Sequence, residues 1–172
     1  MKAETNRKDV YRKALCLLIP AVGLAFLLWY IKNATCDVVY SDYIRLVNSY
    51  LPDVYDPDRF FVPDVLTRIP INYLGRIINV ELFGFSITFD RVLGAVSTAL
   101  AAWVFGLYFI RHKLGSIWFF LIMAVTFSLN QWEMLTNGSG WSTFLPLPVF
   151  ITMNWFLTGC GRDRRRKEIP FA

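Results

Sequence analysis

Apolar residues along this chain gather in long blocks separated by short polar stretches. Ala14 to Ile31 carries no charged residue; at about 1.5 Å per residue it reaches about 27 Å, close to the hydrocarbon thickness of a bilayer. The pattern predicts a membrane span over 14–31 after a polar tail over 1–13. A second charge-free run over 92–110 stops at Arg111-His112-Lys113, and a third, 114–129, follows almost at once. The two form an antiparallel pair around a tight turn at 111–113. Residues 142–160 make a weaker fourth element, kinked or re-entrant, because Pro146 and Pro148 lie inside it. Pro20 and Gly23 interrupt the first run without excluding it, since neighbouring helices in lipid satisfy freed backbone groups. That run ends in Trp29, Tyr30, Lys32 and Asn33, which is unlike the small-residue exit of a cleaved signal peptide.

Between the first two runs lies the longest polar segment, 32–91. Ser41 caps a short helical pattern with Ile44, Val47, Tyr50 and Leu51 on one face, before Pro52. An Asp-Pro turn follows at Asp53, Asp56, Pro57 and Asp58. A second pattern then places Leu66, Ile69, Tyr73, Leu74, Ile77 and Ile78 on one side and Arg68, Asn72, Arg76 and Asn79 on the other. Such helices lie flat, apolar face on the membrane and polar face to water. The expected architecture is an all-α polytopic membrane protein with three to four transmembrane helices. Short amphipathic helices sit in its long first external loop, and a second external loop occupies 130–141.

Composition agrees with lipid as the solvent: 55% of residues are hydrophobic and 17% aromatic. Charge then sets the orientation. Twelve Lys/Arg and four Asp/Glu fall in the tail, the 111–113 turn and the 161–172 end, against six and nine on the other side. Basic residues stay cytoplasmic, so both termini are inside and 32–91 is outside. The Arg162, Arg164, Arg165, Arg166 and Lys167 run is a topology anchor and not a nucleic-acid site. Cys16, Cys36 and Cys160 lie in a span, outside it and at the opposite face, so no disulfide is expected. The sequence holds no clustered His/Cys metal site, no phosphate-cradling glycine loop and no nucleophile elbow. His112 belongs to the basic turn.

Three stretches carry a family resemblance. They are Tyr40-Ser41-Asp42-Tyr43-Ile44-Arg45 with Leu51-Pro52-Asp53, then Pro63-Asp64-Val65-Leu66-Thr67-Arg68-Ile69-Pro70, then Asn130-Gln131-Trp132-Glu133-Met134 with Asn137-Gly138-Ser139-Gly140-Trp141. Set in this order of tail, span, external loop and tight series of spans, the chain resembles the amino-terminal portion of GT-C type membrane glycosyltransferases, or a shortened relative. The resemblance implies a polyprenyl-phosphate sugar donor and an acceptor on the outer side. Asp42 is then the general base that takes the acceptor hydroxyl proton, with Asp37 and Glu133 as further acids. Arg45 and Arg68 meet the phosphate, where either cationic side chains or a divalent metal balance the developing charge. No cofactor beyond that metal is implied.

Each of these residues also has a structural reading. Asp42 suits a helix cap, Arg45 and Arg68 suit lipid headgroups, and Glu133 between Trp132 and Trp141 suits the water boundary. Asn137-Gly138-Ser139-Gly140 is first a turn, though Asn137 and Asn33 also head glycosylation triplets. A second function class is therefore a small non-catalytic subunit packed against a larger membrane partner. A transporter ranks third, because the spans over 14–31 and 92–110 contain no ionisable residue.

Overall fold

The structure, a computed structural model, describes residues 2–34, 44, 55, 56, 58, 70–138 and 140–155. The described residues form helices and turns with no strand: α1 (Lys2–Ala34), α2 (Pro70–Phe83), α3 (Ile87–His112), α4 (Ser116–Thr126), α5 (Trp132–Asn137), α6 (Trp141–Phe144) and α7 (146–155). Two stretches, Asp9–Ala34 of α1 and Ile87–His112, are long and apolar enough to cross a membrane. The expected Ser41 helix lies outside the described residues, Ile44 excepted. At the Asp-Pro turn, Asp58 N donates to Asp56 Oδ1 at 3.0 Å.

The organising contact is α1 against α3. Cys16, Pro20, Gly23, Leu27 and Ile31 are buried on α1 at steps of three and four residues, the spacing of one helix face. They meet a face of small residues on α3. Cys16 packs with Ala102 and Phe109, while Leu27 and Ile31 pack with Ala95, so the helices are antiparallel. Pro20 has no N–H, which removes the helical donor to the carbonyl of residue 16. Gly106 comes up against that carbonyl: a Cβ on Gly106 would stand 2.5 Å from the Cys16 oxygen. Trp103 Nε1 adds a hydrogen bond to the neighbouring Leu17 carbonyl, 2.9 Å. Small residues at a helix crossing admit this backbone approach, which is how helices associate where apolar burial gives no drive.

Two further segments follow the length of α3. Beginning at α4, Phe119 lies on Phe109 with ring centroids 5.4 Å apart, and Met123 joins Cys16 and Ala102. Phe127 points its ring at Gly23, and Leu135 joins Leu27, Ile31 and Ala95. Residues 116–137 thus traverse the full contact length as a broken helix, interrupted by the turn at Phe127–Ser128 and a 3-10 turn over Leu129–Gln131. Thr126 and Ser128 turn their hydroxyls back on the carbonyls of Ile122 and Val125, the local side-chain bonding that accompanies a bend in a helix. Residues 141–155 run back, from Trp141 beside Gly94 to Trp155 beside Arg111, with the helix stepping at Leu145.

Three expectations change. The polar stretch 130–141 is not simply a loop, because α5 lies within it and buries Leu135, Thr136 and Asn137. Helix α3 begins at Ile87, before the expected 92, because Ser86 caps it and accepts from Phe89 N. Asp90 and Arg91 therefore belong to the helix, which corrects the premise that the second long helix has no ionisable residue. Third, α2 turns its polar face inward. Arg76 and Asn79 are 4% and 0% exposed, while Leu74, Ile78, Leu82 and Phe83 are exposed. Asn79 goes inside because both of its partners, the N–H and carbonyl of Ser86, are there.

The Gly106 contact is testable by size. Gly106→Ala should lower the unfolding free energy in mild detergent by about 1–3 kcal/mol, the usual cost of overpacking. Gly115→Ser should be neutral or slightly stabilising, since a Cβ there meets only Trp118 at 3.7 Å and serine is a better helix cap. Equal melting of Gly106→Ala and the parent would remove the backbone contact from the fold.

Candidate functional site

At the end of the bundle where α1 finishes and α3 begins, polar side chains are buried together on the first turns of α3, the inner face of α2 and the end of α5. Asn79, Asp90, Arg91, Arg76, Thr136 and Asn137 are each at most 5% exposed. Local structure explains the placement. Helix α2 ends at Gly84 (φ +59°), with Phe85 also in the left-handed region (φ +61°), so the chain reverses within three residues. Asn79 closes the reversal from both sides: its Nδ2 donates to Ser86 O at 3.0 Å and its Oδ1 accepts from Ser86 N at 2.8 Å. Phe83 stacks on Phe89 across the same turn at 4.5 Å. Ser86 then starts α3, and Asp90 falls in its first turn, where the helix dipole favours a carboxylate.

Arg91 ties this corner to the broken helix, its Nε donating to the Thr136 carbonyl at the end of α5. Thr136 Oγ1 in turn donates to Trp132 O at 2.8 Å. Trp141 fills the space between the hairpin arms. A Cβ on Gly75 would stand 2.5 Å from its ring, and one on Gly94 would stand 3.8 Å from its backbone. Arg76 Nη1 and Asn137 Oδ1 are buried without a hydrogen-bond partner among the described residues. A guanidinium N–H so placed strongly favours an acceptor, and an anionic one most.

The structure places one of the five residues singled out above. Glu133 is exposed in the first turn of α5, on the short helix that Arg91 grips, with its side chain outside the buried cluster. Asp37, Asp42, Arg45 and Arg68 lie outside the described residues. Tyr55, from the stretch between α1 and α2, nonetheless reaches α2: its hydroxyl donates to the Glu81 carboxylate. That bond, with the nearby negative charge, raises the Tyr55 pKa above its ordinary value, so the phenol remains a donor at neutral pH. Among the described residues no three His, Cys, Asp or Glu side chains gather as a metal site would require.

Hydropathy counting passed over Asp90 and Arg91 as loop charges. The signal that marks them is Ser86 followed by an acid four residues later, a helix start. Arg76 and Asn79 share one face by spacing alone, but nothing local says that this face is the inner one. No family model matches the chain, and neither a curated protein nor a solved structure shows significant similarity to it.

Asn79→Ala should destabilise the protein by about 2–3 kcal/mol, because it leaves both backbone groups of Ser86 without their partners. Asn79→Asp keeps the acceptor and should cost less. Thermal melting in detergent, with the two variants compared side by side, checks the order.

Proposed function

We propose that this protein is an integral membrane protein that works as a small subunit packed against a larger membrane partner. The membrane part rests on the outward faces. Leu18, Val22, Phe26 and Trp29 of α1, Leu100 and Leu107 of α3, and Trp118, Leu121 and Val125 of α4 are all exposed. That is more contiguous apolar surface than a protein in water keeps uncovered. Exposed Tyr11 and Trp29 stand eighteen positions apart on α1, about 27 Å, the separation of the two aromatic belts of a bilayer. Helix α1, helix α3, the broken segment 116–137 and the returning segment 141–155 then serve as four crossings, the third broken and the fourth kinked. The basic ends of α1 and α3 lie together on the cytoplasmic side.

The partner is inferred from the break between α4 and α5. Helix α4 has eleven residues, about 17 Å, and stops level with Gly23 near the middle of the apolar run of α1. Non-helical backbone at that depth persists only where protein covers it or water reaches it. Here Ser128 and Asn130 are exposed on the outside of the break, beside the exposed apolar face of α4. A membrane helix of another subunit laid along α4 covers both the apolar face and the polar break.

A glycosyltransferase role is the second reading, favoured by one observation. Arg76 and Arg91 lie buried at the outer end of the bundle, next to the helix that carries Glu133, and Arg76 Nη1 has no acceptor among the described residues. With Asp90 buried beside Arg91 the cluster carries one cation in excess, the charge that the GT-C resemblance asks for at a lipid-linked phosphate, and Asp42 remains the base candidate.

A photo-crosslinker at Val125 or Phe120 separates the first reading from a lone protein. One stoichiometric membrane protein should be captured in intact cells and co-purify in mild detergent. Capture of lipid alone, with a monodisperse monomer after extraction, would sink the subunit proposal. For the second reading, Asp42→Asn should abolish cell-surface polysaccharide at unchanged expression; an unaltered glycan profile removes Asp42 from any such chemistry.

A further inference from the structure

We infer that the opposite end of the bundle, where α1 begins and α3 ends, is a binding site for the phosphate headgroup of an anionic phospholipid. The inference rests on the membrane reading above and adds to it a lipid class and a set of residues.

The antiparallel register of α1 and α3 builds the site. With Cys16 level with Gly106, Arg7, Arg12 and Lys13 come to the same end as Arg111 and Lys113, although about a hundred residues separate the two groups in sequence. Glu4 and Asp9 are the carboxylates on this end of α1, against Arg7, Arg12 and Lys13 on the same helix and Arg111 and Lys113 at the end of α3, and Arg12 holds Asp9 at 3.0 Å. His112 lies there too, its ring 4.3 Å from that of Tyr108. The cations are held in place. The Arg111 guanidinium lies 5.0 Å from the centre of the Trp155 ring, and Arg7 lies 5.6 Å from the Tyr11 ring with Nη2 3.3 Å from the Tyr11 hydroxyl. Stacking engages the flat face of a guanidinium, and the N–H groups not given to the Tyr11 hydroxyl point from the edge, where a phosphate oxygen is met. Lys113 is projected from the end of α3 by its left-handed backbone (φ +53°), whose N–H bonds back to the Ile110 and Phe109 carbonyls.

What lies beneath the cations selects a lipid over a soluble anion. Leu15 and Leu18 on α1, Leu107 on α3 and Ile117 on α4 are exposed immediately inside the basic ring. A free phosphate satisfies the charges and leaves these side chains untouched. A phospholipid satisfies both, its headgroup on the arginines and its acyl chains along the leucines. Each basic side chain near an anionic bilayer surface strengthens attachment by roughly fivefold.

The test uses the full chain purified in neutral detergent micelles and titrated with either phosphatidylglycerol or phosphatidylcholine, with melting temperature as the readout. Phosphatidylglycerol should stabilise at a lower midpoint concentration than phosphatidylcholine, and about 0.5 M salt should narrow the gap, since screening acts within a few ångström there. In the triple variant Arg7→Gln/Arg111→Gln/Lys113→Gln the two midpoints should converge. The preference is a ratio within one variant, so a change in basal melting leaves it readable. Equal midpoints in the parent, or a preference intact in the triple variant, would overturn the site. Stabilisation by inorganic phosphate alone at matched concentration would assign the cations to a soluble anion and overturn the lipid. Release of the protein from membranes by alkaline carbonate would instead defeat the membrane reading itself, and is scored separately.

Discussion

The approach of α1 to α3 at Cys16 and Gly106 is the constraint from which the other positions follow. Once Pro20 has withdrawn the helical donor from that carbonyl and Gly106 has removed the side chain that would hold it away, the two helices meet at backbone distance. Their register is then settled from Cys16 to Ile31 on one and from Ala95 to Phe109 on the other. Ala102, Ala99 and Ala95, each fully buried, extend the seam toward the end where α1 finishes, and a larger side chain in these places would have to displace its neighbours. This seam gives α4, the break and α5 a fixed surface to lie along. The same register decides which ends come together, so the polar knot at one end and the basic ring at the other share a single cause.

The polar knot places two charges inside the start of a long apolar helix. Asp90 and Arg91 cost desolvation wherever they are buried. Here the cost is offset by the dipole at the start of α3 and by the Thr136 carbonyl, and the neighbouring Ser86 backbone is satisfied by Asn79. The arrangement also joins three elements distant in sequence, the hairpin of α2 and α3 and the end of α5. Whatever contact the segment before α2 carries is therefore presented by a corner held with directional bonds, while the apolar contacts of the bundle pack by shape. Helix α2 is the clearest case: its apolar side is exposed and its polar side is the one that docks.

The broken helix from Ser116 to Asn137 divides the two functional readings. Its interruption near the middle of the apolar thickness leaves Ser128 and Asn130 exposed beside a continuous apolar face, a surface that an added membrane helix would complete. The end of the same segment is gripped by Arg91, and Glu133 stands one turn before that grip. A subunit interface and a phosphate-handling centre would thus use different parts of one element.

Much of the framework was legible in the order of residues alone. Helical class, the apolar runs around 14–31 and 92–110, the basic turn at 111–113 and the weak, proline-bearing fourth element follow from composition and periodicity, because helix length and charge exclusion are properties of a segment by itself. The inward polar face of α2, the burial of Asp90, Arg91 and Asn137, the packing of α5 where a loop was expected, and the gathering of Arg7 with Arg111 were decided by tertiary structure. Each depends on which surface lies opposite. Periodicity can sort Arg76 and Asn79 onto one face, but only the neighbouring backbone of Ser86, brought close by a reversal at Gly84, makes that face the interior.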